Sequence, residues 1–252
     1  MLKELIKSLI RTIVPRLGRH HFQTILRKWR RSSPDGKMVF GSFRNLSPMS
    51  KVFGIDRGTP IDRYYIQQFL SECSADIKGH VLEIGSDHYT RKYGGDNVSN
   101  IDVLHVDENA ESATIIADLA KGENIPSETF DCVIVTQTFQ FIYKVQSAVS
   151  TVHRILKEGG VLLATVPGIS QISRFDMDKW GDYWRFTNLS ARRLLEEPFE
   201  EGNVYVNSYG NVLVSTAMLH GLAAQELTKD ELQYRDPDYD LLLAIRAVKR
   251  SG

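Results

Sequence analysis

The sequence predicts an α/β fold: a mostly parallel sheet with helices on both faces and an antiparallel strand at its C-terminal edge. Three observations carry this. Short apolar runs alternate with segments of helical periodicity, as buried parallel strands alternate with their crossover helices. The first run ends on an acid and a glycine, and later runs end on acids, a pattern suited to ligand-binding strand ends. The last two runs enclose a single helical segment and read as an antiparallel closing pair.

The elements follow in order. Residues 2–14 and 20–31 have helical spacing, with apolar positions 2, 5, 6, 9, 10 and 13 forming one stripe. Residues 32–59 are rich in Gly, Ser and Pro and read as an irregular connector. Thr59-Pro60 reads as the start of a helix reaching about Asp76, with Thr as cap and Pro in the first turn. Five strands are expected at 80–84 (HVLEI), 102–106 (DVLHV), 113–117 (ATIIA), 130–136 (FDCVIVT) and 161–167 (VLLATVP). A helix over 145–157 precedes the fifth, with Gly159-Gly160 as its stop. A helix (188–197), a strand (203–209), a helix (about 212–226) and a strand (241–248) complete the domain, 60–252.

Composition bounds the function. The hydrophobic fraction of 42% and charged fraction of 25% are those of an ordinary globular protein. Cys73 and Cys132 are far apart, which gives neither a disulfide framework nor a metal spacing. His20 and His21, adjacent on a helix, point apart and make no metal pair; no metal site is expected. No apolar run is long enough to span a membrane and the start lacks a signal-peptide pattern, so a cytoplasmic protein is expected. Net charge is zero, yet residues 1–31 hold nine Lys or Arg against Glu4. This basic amphipathic arm suits docking on the body, on a second copy in a homodimer, or peripherally on an anionic membrane at its inner face. The acidic remainder argues against a nucleic-acid partner.

The strand ends hold the candidate ligand groups: Glu83 and Gly85 after the first strand, Asp107 after the second, Asp118 after the third, Thr136 and Gln137 after the fourth. A carboxylate can accept two hydrogen bonds from vicinal ribose hydroxyls, or one from an adenine amine. A glycine lets the backbone approach a ligand.

With these residues the chain resembles the class I S-adenosylmethionine-dependent methyltransferases over roughly 60–250. The most specific piece is VHRILKEGGVLLATVP (152–167), similar to that family's fourth helix and fifth strand; FDCVIVTQTFQFI (130–142) is similar to its fourth strand and exit. The resemblance implies a Rossmann-like seven-stranded sheet and S-adenosyl-L-methionine as cofactor. It places Glu83 and Gly85 in the first cofactor motif, Asp107 at the ribose and Asp118 at the adenine; Asp87, in the loop after the first strand, and Gln137, after the fourth, are expected to bind the same ligand. DYWRFTNLSARRLL (182–195) and DRGTPIDRYYIQQFL (56–70) resemble methyltransferases of bacterial surface-polysaccharide and glycosylation clusters.

The loop after the first strand departs from the family pattern, because Asp87 stands where a second glycine is usual. A pyrophosphate would be repelled there, whereas a sulfonium and ammonium ligand would not. That disfavours a dinucleotide. The segment SRFDMDKWGDYWRFTN (173–188) reads as a lid. Tyr183, Trp184 and Arg185 are expected on the acceptor, since aromatic faces suit sugars and Arg suits anions. Thr187 or Asn188 is the expected cap of the next helix. For a general base the candidates are His88 and Asp176, then His220, with His153 structural. The expected activity is O-methylation of a glycan or related small acceptor. A small-molecule or lipid acceptor, and a silent subunit of a glycosylation complex, are the other readings.

Overall fold

The protein is described from a computed structural model over residues 41–250. The expected helices at 2–14 and 20–31 and the first part of the connector lie outside the described residues. The chain divides into two compact units, 1–46 and 47–252. Of the first, the described part is a 3-10 turn, Gly41–Arg44.

The second unit carries one seven-stranded sheet in the order β3-β2-β1-β4-β5-β7-β6. The strands are β1 (Gly79–Ile84), β2 (Val98–His105), β3 (Ile115–Ile116), β4 (Phe130–Thr136), β5 (Leu156–Pro167), β6 (Val204–Tyr209) and β7 (Leu242–Val248). β1 to β5 are parallel, and β7 runs antiparallel to both β5 and β6. The antiparallel C-terminal strand is therefore present but lies one place in from the edge, which β6 occupies. The strand order reverses between β1 and β4. At such a point two neighbouring connections leave in opposite directions and open a crevice beyond the strand ends.

Helices cover both faces. On one lie α1 (Ile61–Glu72), α2 (His88–Tyr93), α6 (Val212–Leu219) and α7 (Lys229–Gln233), packed on Val81, Cys132, Ile134, Leu163 and Ala244. On the other lie α3 (Val145–Ile155) and α5 (Asn188–Phe199), packed on Leu82, Val133, Val135, Leu162 and Ile245. Alternate residues of each strand thus feed opposite cores. A short helix, α4 (Arg174–Lys179), follows β5.

Several local expectations change. Pro60 caps α1, while Thr59 pairs through its N–H and hydroxyl with the Gln225 side chain. α3 closes at Ile155, and Leu156 already pairs with Phe130; Gly159 (φ +73°) and Gly160 sit where the β4–β5 register shifts rather than at a helix end. The helix expected to reach 226 stops at Leu219. The late connector belongs to this unit: Ser50 is buried, and Met49 and Ser50 donate to the His220 carbonyl. Among the described residues no helix is long and apolar enough to cross a membrane, and no cluster of side chains could hold a metal ion.

Candidate active site

A cavity of about 630 Å³ opens at the switch point, within the ordinary range of small-molecule sites. Ile84 and Gly85 form one wall, Leu104, His105 and Val106 a second, and Asp118 with Leu119 a third. Gly85 donates to the Leu104 carbonyl at φ +85°, and no atom lies within 4 Å of where its Cβ would stand. The backbone is open to a ligand there.

Glu83 is 2% exposed. Its carboxylate accepts from the N–H groups of Tyr89 (3.1 Å) and Thr90 (2.7 Å) and from the Thr90 hydroxyl (2.7 Å). Burial pushes its pKa up, with the Thr90 and Tyr89 bonds opposing. Asp87 pairs with Arg91 one turn on. Asp107 accepts from the backbone and side-chain amides of Asn109, both at 3.0 Å, which hold its carboxyl below the ordinary range. His105 and Val106, rather than Asp107, line the cavity wall. Asp118 lines the cavity and accepts from the Ala120 N–H.

A second, smaller cavity of about 240 Å³ adjoins the first. Asp62 from α1, Gln140 after β4, and Gln171, Asp182 and Arg185 after β5 surround it. Gln137, Phe141 and Asp176 line both cavities and so mark their junction. Gln137 holds the left-handed conformation (φ +47°), which a non-glycine residue adopts at a cost. Asp176 accepts from the Ser173 hydroxyl.

The segment after β5 is helical over α4 and extended beyond it. Its side chains divide as the alternation predicts. Tyr183 lines the larger cavity and Arg185 the smaller. Trp184 packs on the core and donates to the Ile142 carbonyl. The Gln140 carbonyl fixes the segment by accepting from Tyr183 (2.9 Å) and Trp184 (3.3 Å). The guanidinium of Arg185 is engaged within the protein: it donates to both oxygens of Asp182 and to the carbonyls of Ser170, Gln171 and Trp184. Thr187 and Ser190 form the capping box of α5. Trp180 and Lys179 complete the larger cavity, and Trp180 meets His105 edge-on.

Of the base candidates, Asp176 alone is at the cavities. His88 is exposed and packs against Tyr89 outside both. His220 lines neither. His153 lies edge-on to Phe199, and burial lowers its pKa. Asp62 and Gln140 were missed by sequence reasoning. Asp62 stands in the first turn of α1, and Gln140 is hidden in the apolar run TFQFI.

The residues fit a small ligand that carries both positive and negative charge. The loop after β1 has the open Gly85 but not the serial glycines a pyrophosphate needs. Lys121, Lys144 and Lys179 on the larger cavity supply cations for a carboxylate, and Asp118 and Asp176 supply acids for a cationic group.

Residues 79–164 match the family model of a methyltransferase domain. No curated protein sequence matches the chain significantly. Among solved structures, an S-adenosylmethionine-dependent methyltransferase from Archaeoglobus fulgidus is 12% identical, with a TM-score of 0.49 over 74% of this chain and 94% of that one. The N-methyltransferase NodS from Bradyrhizobium japonicum, in complex with S-adenosylhomocysteine, is 15% identical with a TM-score of 0.49 (80% and 94%). An S-adenosylmethionine-dependent methyltransferase from Mesorhizobium loti is 15% identical with a TM-score of 0.49 (77% and 100%).

Proposed function

We propose that the protein is a methyltransferase that takes a methyl group from S-adenosylmethionine and places it on an oxygen of a glycan or related small acceptor. The observation that carries this reading is the junction: a donor-sized cavity at the switch point meets a separate polar cavity at Gln137, Phe141 and Asp176. Two substrates held on either side of such a junction are positioned for in-line displacement, and positioning alone can supply about 7–11 kcal/mol of a barrier.

Bound S-adenosylmethionine supplies an electrophilic methyl group. The chain's own residues do the rest. Gly85 leaves room for the ligand backbone, and Asp118 with Leu119 forms the far wall. Trp180 and Tyr183 give the donor cavity its aromatic lining. Asp176, at the junction, takes the proton from the acceptor hydroxyl. The Arg185–Asp182 pair holds residues 170–185 in the shape that forms the smaller cavity.

The test is mass spectrometry of the protein mixed with isotopically labelled donor and a panel of sugar acceptors. One labelled methyl on an acceptor supports the reading. Donor binding without transfer to any sugar, lipid or small-molecule acceptor favours a silent subunit instead.

A further inference from the structure

The smaller cavity holds an unmet pair of buried polar groups. Gln140, 4% exposed, donates from Nε2 to Gln137 Oε1 at 3.1 Å. Among the described residues, that bond leaves Gln137 Nε2 and Gln140 Oε1 buried without partners. Turning both amides over changes nothing, because one donor and one acceptor still remain. Buried amides without partners cost stability, so a fold keeps them where a ligand completes them. The left-handed backbone at Gln137 is a second cost at the same place.

Asp62 faces the same cavity. Its carboxylate accepts from the N–H of Arg63 at 2.7 Å, and among the described residues it forms no ion pair. Three carboxylates, Asp62, Asp176 and Asp182, line the cavity against a single guanidinium, which Asp182 and three carbonyls already occupy.

We infer that this cavity is a recognition site for one neutral, polyhydroxylated unit, a sugar residue, with Gln137 and Gln140 sharing one hydroxyl and Asp62 accepting from a neighbouring one. The inference rests on the methyltransferase reading for the identity of the reaction, but not for the chemistry of the cavity. A hydroxyl both donates and accepts, so it satisfies the free Nε2 and the free Oε1 together. An ammonium only donates and would leave Nε2 unmet. A carboxylate or phosphate would face three acids with no free cation among the lining residues. The volume, about 240 Å³, falls below the ~300–1,000 Å³ of drug-sized sites, which suits a single terminal unit rather than an oligosaccharide.

The experiment is calorimetry on the full chain with S-adenosylhomocysteine present. The probes are methyl glycosides of glucose, galactose and mannose, the corresponding uronic acids, and the 2-amino sugars. A neutral glycoside should bind at least about tenfold tighter than its uronate and its amino counterpart. Gln140→Met should weaken that binding by about tenfold or more while S-adenosylhomocysteine binds within about threefold of wild type. Asp62→Asn, which keeps the side-chain shape, should also weaken it and should melt no lower than wild type at neutral pH. A uronate or amino sugar that binds as well as the neutral sugar overturns the inference. So does a Gln140→Met protein that binds sugar normally, or wild type that binds S-adenosylhomocysteine but no neutral sugar. Failure of wild type to bind S-adenosylhomocysteine would instead count against the methyltransferase reading, and the sugar series without it still decides the cavity.

Discussion

Glu83 and Thr90 are joined twice, the backbone N–H and the hydroxyl of Thr90 each donating to one carboxylate oxygen at 2.7 Å. The acid that opens the loop after β1 therefore ties α2 to the sheet. Where a second glycine would let the loop fold tightly around a ligand, this chain holds it from beneath, and Asp87 turns outward to Arg91.

Glu83→Ala should leave the N–H groups of Tyr89 and Thr90 and the Thr90 hydroxyl unmet. The expected loss is about 2–4 kcal/mol of unfolding free energy, read by urea denaturation. Donor affinity should fall with it, because Gly85 sits between Glu83 and α2. A variant as stable as wild type would refute the tether.

Asp62 makes a pH prediction. Burial raises its pKa above the ordinary 3.8, with the Arg63 N–H opposing, and Arg63 is the charge beside it. Tyr89 of α2 lies within its field, and Asp176, Asp182 and Arg185 share its cavity. A folded pKa above the unfolded one contributes stability below the unfolded pKa that is lost as pH rises through the folded value. Asp62→Asn cannot ionise. Its melting temperature should match wild type below about pH 3.5 and exceed it increasingly as pH rises through and above the ordinary aspartate range. A lower melting temperature at pH 7 would contradict this.

Arg185 answers a different sign. Burial raises the Asp182 pKa, but the hydrogen bonds from Arg185 and Ser173 outweigh it and leave it below 3.8. The stabilisation is present above the ordinary aspartate value and lost as pH falls through the lowered one. Asp182 is 1% exposed at its side chain, so Arg185→Ala strands a buried carboxylate. The expected cost is about 3 kcal/mol or more at pH 7, shrinking in acid. Arg185→Lys should recover little, because a point charge cannot serve Asp182 and the carbonyls of Gln171 and Trp184 together.

Asp107→Ala tests the second strand end. Its carboxylate is engaged with Asn109, so the variant loosens the turn behind His105 and Val106. Calorimetry with S-adenosylhomocysteine should show a loss of about tenfold if Asp107 also reaches the ligand, and less than about threefold if it serves the turn alone.

Much of the sheet was legible in the sequence, because a buried parallel strand must be a continuous apolar run. HVLEI, FDCVIVT and VLLATVP all fall in strands. ATIIA shrank to Ile115–Ile116, the two residues that pair with Leu104 and His105 of β2. α2 and α7 escaped notice because six and five residues carry too little periodicity. Part of the larger cavity's wall was readable from strand ends, at Gly85, Asp118 and Gln137, since topology places them together. The smaller cavity was not. It is assembled from α1, the exit of β4 and the segment after β5, which no local pattern connects. Gln140 is a polar residue in an apolar run, and that interruption was the available signal.

Methyl transfer to a sugar oxygen is tested most directly by a single-turnover assay with isotopically labelled S-adenosylmethionine and neutral glycosides, run on wild type and Asp176→Asn. One labelled methyl on an acceptor oxygen is expected with wild type. With Asp176→Asn the rate should fall by about 10²–10⁴, while S-adenosylhomocysteine affinity stays within about threefold. Well-folded wild-type protein that binds neither S-adenosylmethionine nor S-adenosylhomocysteine would contradict it.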